Sequence, residues 1–398
     1  MTITAPHKLG SCIVAGHICL DVIPTLLGAG DFESTFRPGR LLEAGPAVIS
    51  TGGAVSNTGL ALRKLGVNTQ LMGKIGSDLF GQAILGVVKS FGEHLADGMR
   101  IVPGEASSYT VILNPPQVDR IFLHCPGAND TFDASDVDYA ALQQAGLFHF
   151  GYPPLMKQMY LSDGAELVKL FQQAKATGVT TSLDMAMPDP AGPSGQAHWA
   201  TILQTVLPYV DLFVPSLEEM LLMLYPDTFK QVSSGATPIT PSLASQVAAD
   251  LLEMGAKVVM LKAGHLGLYL RTSAENRLAE LGRARPGHLA RWANREFWAS
   301  VFQTQVVGTT GAGDTTVAGF LAAFLRDLPP AEAVTMAVAV GACNVEAADA
   351  TSGVRSWEET LARVKAGWPR QPLHFADIPG WRFDESRQLW LGPNDSTQ

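Results

Sequence analysis

Val306-Val307-Gly308-Thr309-Thr310-Gly311-Ala312-Gly313-Asp314 ends a β-like pair in a glycine-rich turn, sets a carboxylate last and runs straight into a helical pattern. Val317, Phe320, Leu321 and Phe324 recur at i, i+3, i+4 and i+7, so they share one apolar face and predict a helix with Asp314 at or just before its start. The first turn of a helix leaves backbone N–H groups without partners, and the aligned peptide dipoles make that end attractive to phosphate. Gly311 and Gly313 carry no Cβ, so an anion can approach the backbone and the turn is free to adopt left-handed dihedrals. A carboxylate beside such a hole can deprotonate an attacking hydroxyl while the amides stabilise charge on a transferred phosphoryl group. The same letters also spell a plain Asp cap after a glycine turn, so the rest of the chain has to decide.

At the other end, residues 12–15 form a short apolar run that stops at Gly16-His17 and reaches Asp21, a buried strand with a polar group at its C-terminal end. Residues 23–50 are rich in Gly and Pro and read as an excursion from the main sheet. Thr51-Gly52-Gly53-Ala54-Val55-Ser56-Asn57 follows, then a helix with Leu62 and Leu65 turned inward, then a strand at 69–73. Residues 108–114 and 120–124 flank Pro115-Pro116 as two strands that can pair with the excursion in a small β lid. Beyond Gly127-Ala128-Asn129, strands at 147–150, 180–184, 212–214 and 258–262 alternate with helices near 165–177, 201–207 and from 217. That alternation predicts a mostly parallel sheet with helices on both faces. Two stretches break it: 237–242, whose prolines read as a linker, and the arginine-rich, aromatic 272–300, which reads as an insertion.

The 398-residue chain is 46% hydrophobic and 16% charged, which suits a compact, well-buried globule. Its net charge of -9, with no run of five basic residues, excludes a footprint for nucleic acid or an anionic membrane. Cys12, Cys19, Cys125 and Cys343 form no C-x-x-C pair and are too sparse for a disulfide framework. With no apolar leader at residues 1–10 and Glu332 and Glu346 interrupting the apolar stretch 331–348, the expectation is a cytoplasmic protein without a membrane span.

Taken in order, these motifs resemble the ribokinase, or PfkB-type, family of carbohydrate and nucleoside kinases over residues 10–355. The resemblance implies an α/β, ribokinase-like fold: a kinase domain over 1–365, a lid formed by 22–50 and 106–126, and a C-terminal extension over 366–398. It implies ATP and Mg²⁺ as cofactors and a sugar or nucleoside as the small-molecule substrate, and it leaves room for a homodimer through the lid. Asp314 would be the base, with Gly311, Ala312 and Gly313 as the anion hole. Asp21, Gly52, Gly53, Asn57 and Asn129 would bind the acceptor, Asp21 through two carboxylate oxygens that suit a vicinal diol. Lys262, Gly264, Gly267 and Asn344 would lie along the nucleotide, and Glu219 and Asp184 would hold the metal through water. Lys74-Ile75-Gly76-Ser77-Asp78 matches a block whose role is mostly structural, and Asp119-Arg120 with His124 leads back from lid to core.

Departures from the family pattern concern charge. Gly308 stands where many members carry a cation-site Asp, which argues against potassium activation. Ser216 replaces an Asn three residues before Glu219, and Met185, Ala186 and Met187 follow Asp184 where Asn and Arg are usual. The sequence therefore supports an ATP-dependent kinase acting on a hydroxyl, with a non-catalytic, ligand-binding paralogue as the alternative. A dinucleotide-dependent oxidoreductase lacks its G-x-G-x-x-G after the first strand.

Overall fold

The structure is a computed structural model that describes residues 10–27, 36–115, 121–373 and 379–396. Pro116, Asp119, Arg120 and residues 28–35 of the expected lid lie outside these. Fifteen strands among the described residues build two sheets. The large one runs β14 (Arg382–Asp384), β15 (Leu389–Leu391), β13 (Glu296–Ala299), β12 (Leu268–Thr272), β11 (Val258–Lys262), β10 (Leu212–Phe213), β9 (Thr180–Asp184), β8 (Leu147–Gly151), β1 (Cys12–Gly16), β4 (Thr69–Gly76) and β5 (Gly98–Val102). From β11 to β5 every neighbour is parallel, and the strands beyond β11 are antiparallel.

Period-two side chains divide the interior into two cores. Cys12 and Val14 of β1 meet the core under the helices Ala54–Lys64, Ala312–Leu325 and Pro330–Asn344, while Ile13 and Ala15 meet the one under Ala165–Ala176, Trp199–Val206 and Pro241–Glu253. A second sheet, in the order β3 (Ala44–Gly52), β2 (Cys19–Leu26), β6 (Tyr109–Leu113), β7 (Ile121–Cys125), stands apart; its central pair is parallel and its outer pairs antiparallel. No described helix is long and apolar enough to cross a membrane, and all four cysteines are free.

Several expectations need correction. Val306 and Val307 form no strand; they are exposed loop residues. The stretch 272–300 is no insertion, because it ends in β13 at the heart of the antiparallel half, with Trp292 and Trp298 buried. Pro241 opens a helix instead of a linker: Thr240 caps it, and proline at the first helical position loses only an N–H that had no partner. The helix after the glycine turn is buried almost all round, not on one face, because it is sandwiched between the helices Ala54–Lys64 and Pro330–Asn344.

Candidate active site

Parallel register brings successive strand ends to one line. Gly16 pairs with Gly151, Gly151 with Asp184, and Ser216 bridges to Lys262. β1 lies where the chain order reverses, with β4 on one side and β8 on the other, the place where an open α/β sheet leaves a crevice. His17, Tyr152, Asp184, Ser216 and Lys262 rim that crevice, and the second sheet hangs over it from β2 and β3.

Gly311, not Asp314, is the cap of the helix Ala312–Leu325; its φ of 69° is left-handed, and a Cβ there would come within 2.6 Å of the Ala350 carbonyl. Asp314 is consequently the third helical residue, buried at 3% exposure. Its Oδ2 accepts from Asn57 Nδ2 at 3.0 Å, and its Oδ1 from the Tyr152 hydroxyl at 2.7 Å and the Thr58 hydroxyl at 3.4 Å. The Ala312 amide turns inward to Thr309 O at 3.2 Å, whereas the amides of Gly311, Gly313 and Asp314 have no hydrogen-bond partner among the described residues. Those three are the donors available to an anion. Burial raises the Asp314 carboxyl above the usual carboxylate range, against the pull of Tyr152, Asn57, Lys262 and Thr58.

Lys262 reaches the same place. Its Nζ lies 2.5 Å from Asp184 Oδ1 and donates to Val214 O at 2.8 Å, and its stem runs beside Gly313. Burial, opposed by Lys262 and reinforced by Glu219 and Asp314, raises Asp184 to about 7. Burial would strip the Lys262 proton, but Asp184 and Glu219 outweigh it and raise the ammonium. Three carboxylates thus share one ammonium, and Asp184 Oδ2 has no hydrogen-bond partner among the described residues. That excess of negative charge and a partnerless oxygen fit a hydrated divalent cation. No group of three potential ligands converges among the described residues, so any metal held here leans on water and phosphate. Glu219 itself closes a capping box, its Oε2 accepting from Ser216 N at 2.7 Å while Ser216 Oγ accepts from Glu219 N at 3.2 Å.

The acceptor side is the face of the second sheet turned to the crevice. Asp21 pairs across to Ser50 and Thr110, and Cys19 Sγ lies 3.4 Å from its Oδ1. Burial raises its carboxyl to about 6. A Cβ on Gly52 would sit 2.4 Å from Asp21 Oδ2, and one on Gly53, at φ 87°, 2.4 Å from His17 O. His17 is buried against His124 and Tyr152, with ring centroids 5.3 and 6.2 Å away. Burial, with His124, lowers its imidazole to about 3, so it is neutral. Neither His17 nitrogen nor Asn57 Oδ1 has a hydrogen-bond partner among the described residues. Between Asp21 and Thr310 the sheet leaves a cavity of only ≈ 40 Å³, while the larger cavity of ≈ 370 Å³ lies elsewhere, against Phe302, Trp368 and Arg370.

Other sequence candidates also make contacts that shape the fold. Asn129 gives Nδ2 to Ile18 O at 2.9 Å and takes Ile18 N on Oδ1 at 3.3 Å. Asn344 Nδ2 holds Thr310 O at 3.0 Å, bracing the glycine turn from behind. Gly264 and Gly267 shape the tight connection from β11 to β12 with φ of 55° and 103°. Lys74 is no surface lysine: it is buried with Glu105, Asp136 and the Thr131 carbonyl. At Gly308 any Cβ would press on the carbonyls of Ala347 and Ala348, so a cation-site Asp does not fit this loop as it is built. Tyr152 and Thr58 escaped sequence reasoning; the signal available for Tyr152 was a polar aromatic ring directly after the strand-ending Gly151.

The family model for pfkB family carbohydrate kinases matches residues 11–357. A protein named probable fructokinase-6, chloroplastic, of Arabidopsis thaliana is 25% identical over 79% of this chain and 70% of its own length. Fructokinase-2 of Solanum habrochaites is 22% identical over 92% of this chain and 100% of its own. Among solved structures, the Arabidopsis thaliana ribokinase with ribose and ATP superposes with a TM-score of 0.68 at 20% identity, covering 89% of this chain and 99% of that one. A fructokinase of Xylella fastidiosa with bound ATP gives 0.65 at 20% identity, over 89% and 98%. Two motifs from opposite ends of the sequence meet at one buried carboxylate, the fold is that of the ribokinases, and the family model spans most of the length: the chain belongs to the pfkB family of carbohydrate kinases.

Proposed function

We propose that the protein transfers the γ-phosphoryl group of ATP to a hydroxyl of a sugar or nucleoside-like small molecule, with Asp314 as general base. The observation that carries this reading is the 3.0 Å hydrogen bond between Asn57 and Asp314, which joins the acceptor-side motif to the anion-side motif across 257 residues. Asp314 is shielded from water, sits beside three available amides and still has a carboxylate lone pair for an incoming hydroxyl. The partnerless His17 nitrogens and Asn57 Oδ1, with Asp21 beyond them, suit an acceptor carrying several hydroxyls. The names of the fructokinase relatives and the ribose and ATP bound to a structural neighbour favour the same substrate pair.

In this reading Asp21, Gly52, Gly53 and Asn57 hold the acceptor, and Lys262, with Gly264 and Gly267 just after it, lies along the nucleotide phosphates. Asp184 and Glu219 fit Mg²⁺ through water, and a structural neighbour, a putative ribokinase II of Escherichia coli, was solved with ATP and Mg²⁺. Bound there, the ion supplies neutralisation of phosphate charge. The second sheet, standing over the acceptor side of the crevice, would keep water from competing as acceptor during transfer. Asp314 then takes the hydroxyl proton as the amides hold the phosphoryl oxygens. The test is Asp314→Asn: nucleotide-analogue binding is expected to persist, while ADP release with a sugar panel falls by about 10²-fold or more. Turnover near that of the natural protein would sink the assignment.

A further inference from the structure

We propose that Tyr152 is a positioning residue for the phosphoryl-transfer base: its phenol fixes the plane of the Asp314 carboxylate so that the remaining lone pair faces the acceptor hydroxyl. The proposal rests on the reading of Asp314 as base.

The terminal torsion of an aspartate is soft, so a carboxylate held at one oxygen still swings. Here each oxygen is held separately, Oδ1 by Tyr152 at 2.7 Å and Oδ2 by Asn57 at 3.0 Å. The two donors come from different elements, the end of β8 and the first turn of the helix Ala54–Lys64, so they act as opposed anchors. An ionised carboxylate offers about four acceptor sites; Tyr152, Asn57 and the longer Thr58 contact at 3.4 Å take three, which leaves one for a substrate proton. Tyr152 is a dependable donor: burial, with the charges of Asp314 and Asp184, drives its hydroxyl well above the ordinary tyrosine range. Lys262, Asp184 and Glu219 are the charged groups facing this pair from the ends of β11, β9 and the helix Leu217–Leu224. Lys262 forms its short contacts with Asp184 and Val214, which leaves orientation of Asp314 to Tyr152 and Asn57, with Thr58 as a longer third contact.

Backbone geometry gives independent support. Tyr152 has φ 70° and ψ 42°, a left-handed conformation that bulky residues seldom adopt and that clusters at functional sites. Its neighbours over-determine the bend. A Cβ on Gly151 would lie 2.2 Å from Ala54 Cβ, Tyr152 N donates to Asp184 O at 3.3 Å, and Pro153-Pro154 follow at once. A glycine would meet the backbone demand with less strain, but only a long hydroxyl-bearing ring reaches Asp314 from there.

A double-mutant cycle tests this with Tyr152→Phe, Asp314→Ala and the pair, each first checked for nucleotide-analogue binding. Removing one oxygen is expected to lower kcat by about 10-fold or more, the scale of a hydrogen bond to a charged group, and to leave KM for ATP within about 2-fold. In the Asp314→Ala background the same change should cost nothing further, since the phenol then has no carboxylate to orient. An equal loss in both backgrounds marks a merely structural tyrosine and overturns the proposal, as does an unchanged kcat for Tyr152→Phe beside a crippled Asp314→Ala. Full turnover in Asp314→Ala instead removes the base assignment, and this proposal with it.

Discussion

Burial raises the Asp21 carboxyl from 3.8 to about 6, and the direction of that shift sets how it acts on stability. The folded protein binds this proton more tightly than the unfolded chain, so stability falls as pH rises from about 4 to 6 and stays lower above that. At neutral pH the ionised side chain costs about 2–3 kcal/mol, an upper bound for a group that water still touches. Asp21→Asn is accordingly expected to melt higher than the natural protein above pH 6, with the gap closing below about 4, and to lose affinity for the acceptor. Melting curves across that pH range check the first part and acceptor titration the second. Asp21, Asn57 and Asp314 were legible in the sequence because their chemistry is tied to glycines that allow close approach. Tyr152 and the Lys262–Asp184 pair were not, because their partners are set by strand register, which a single sequence does not display.

Elements show where local pattern and tertiary context part. The alternation of apolar runs predicted the parallel strands well, since strands buried on both faces must be apolar throughout. The valines before the glycine turn satisfied the same rule and are nonetheless exposed in a loop that pairs with no strand; Val307 N donates instead to Val345 O at 2.8 Å, just past the helix Pro330–Asn344. At the junction of β3 with the helix Ala54–Lys64 the glycine pair is a steric necessity. Gly52→Ala would push a methyl group into the Asp21 carboxylate. We expect it to raise KM for the acceptor by about 10-fold or more, with KM for ATP nearly unchanged, since a misplaced binding group weakens only the substrate it touches. Steady-state kinetics with each substrate varied in turn decide this; a matching rise for ATP would show that the whole crevice has shifted.

At the scale of the whole molecule, the sheet does not end where the family match ends. β15 pairs with β13 and carries Leu389 and Leu391 into the interior, Asn394 donates twice to the buried Glu296, and Arg295 grips Asp395 at 2.9 Å. Little of this was legible beforehand, because two three-residue strands are too short to show a period. A chain ended at Ala366 loses those leucines, uncovers the apolar core they pack against and leaves Glu296 with fewer donors, so a loss of about 5 kcal/mol or more is expected, read as a lower melting temperature. Unchanged melting would mean that the tail merely decorates the edge.

The contact between Asn57 and Asp314 has a consequence for how the protein is made. On the ribosome, the helix Ala54–Lys64 that carries Asn57 emerges long before the glycine turn and the helix Ala312–Leu325 on which it packs. The helix Pro330–Asn344, whose Asn344 braces that turn, comes later still. With Asp314 as the proposed base, a chain that stops short of the glycine turn would carry the acceptor motif but no carboxylate to activate a hydroxyl, since that residue arrives only with the last quarter of the polypeptide.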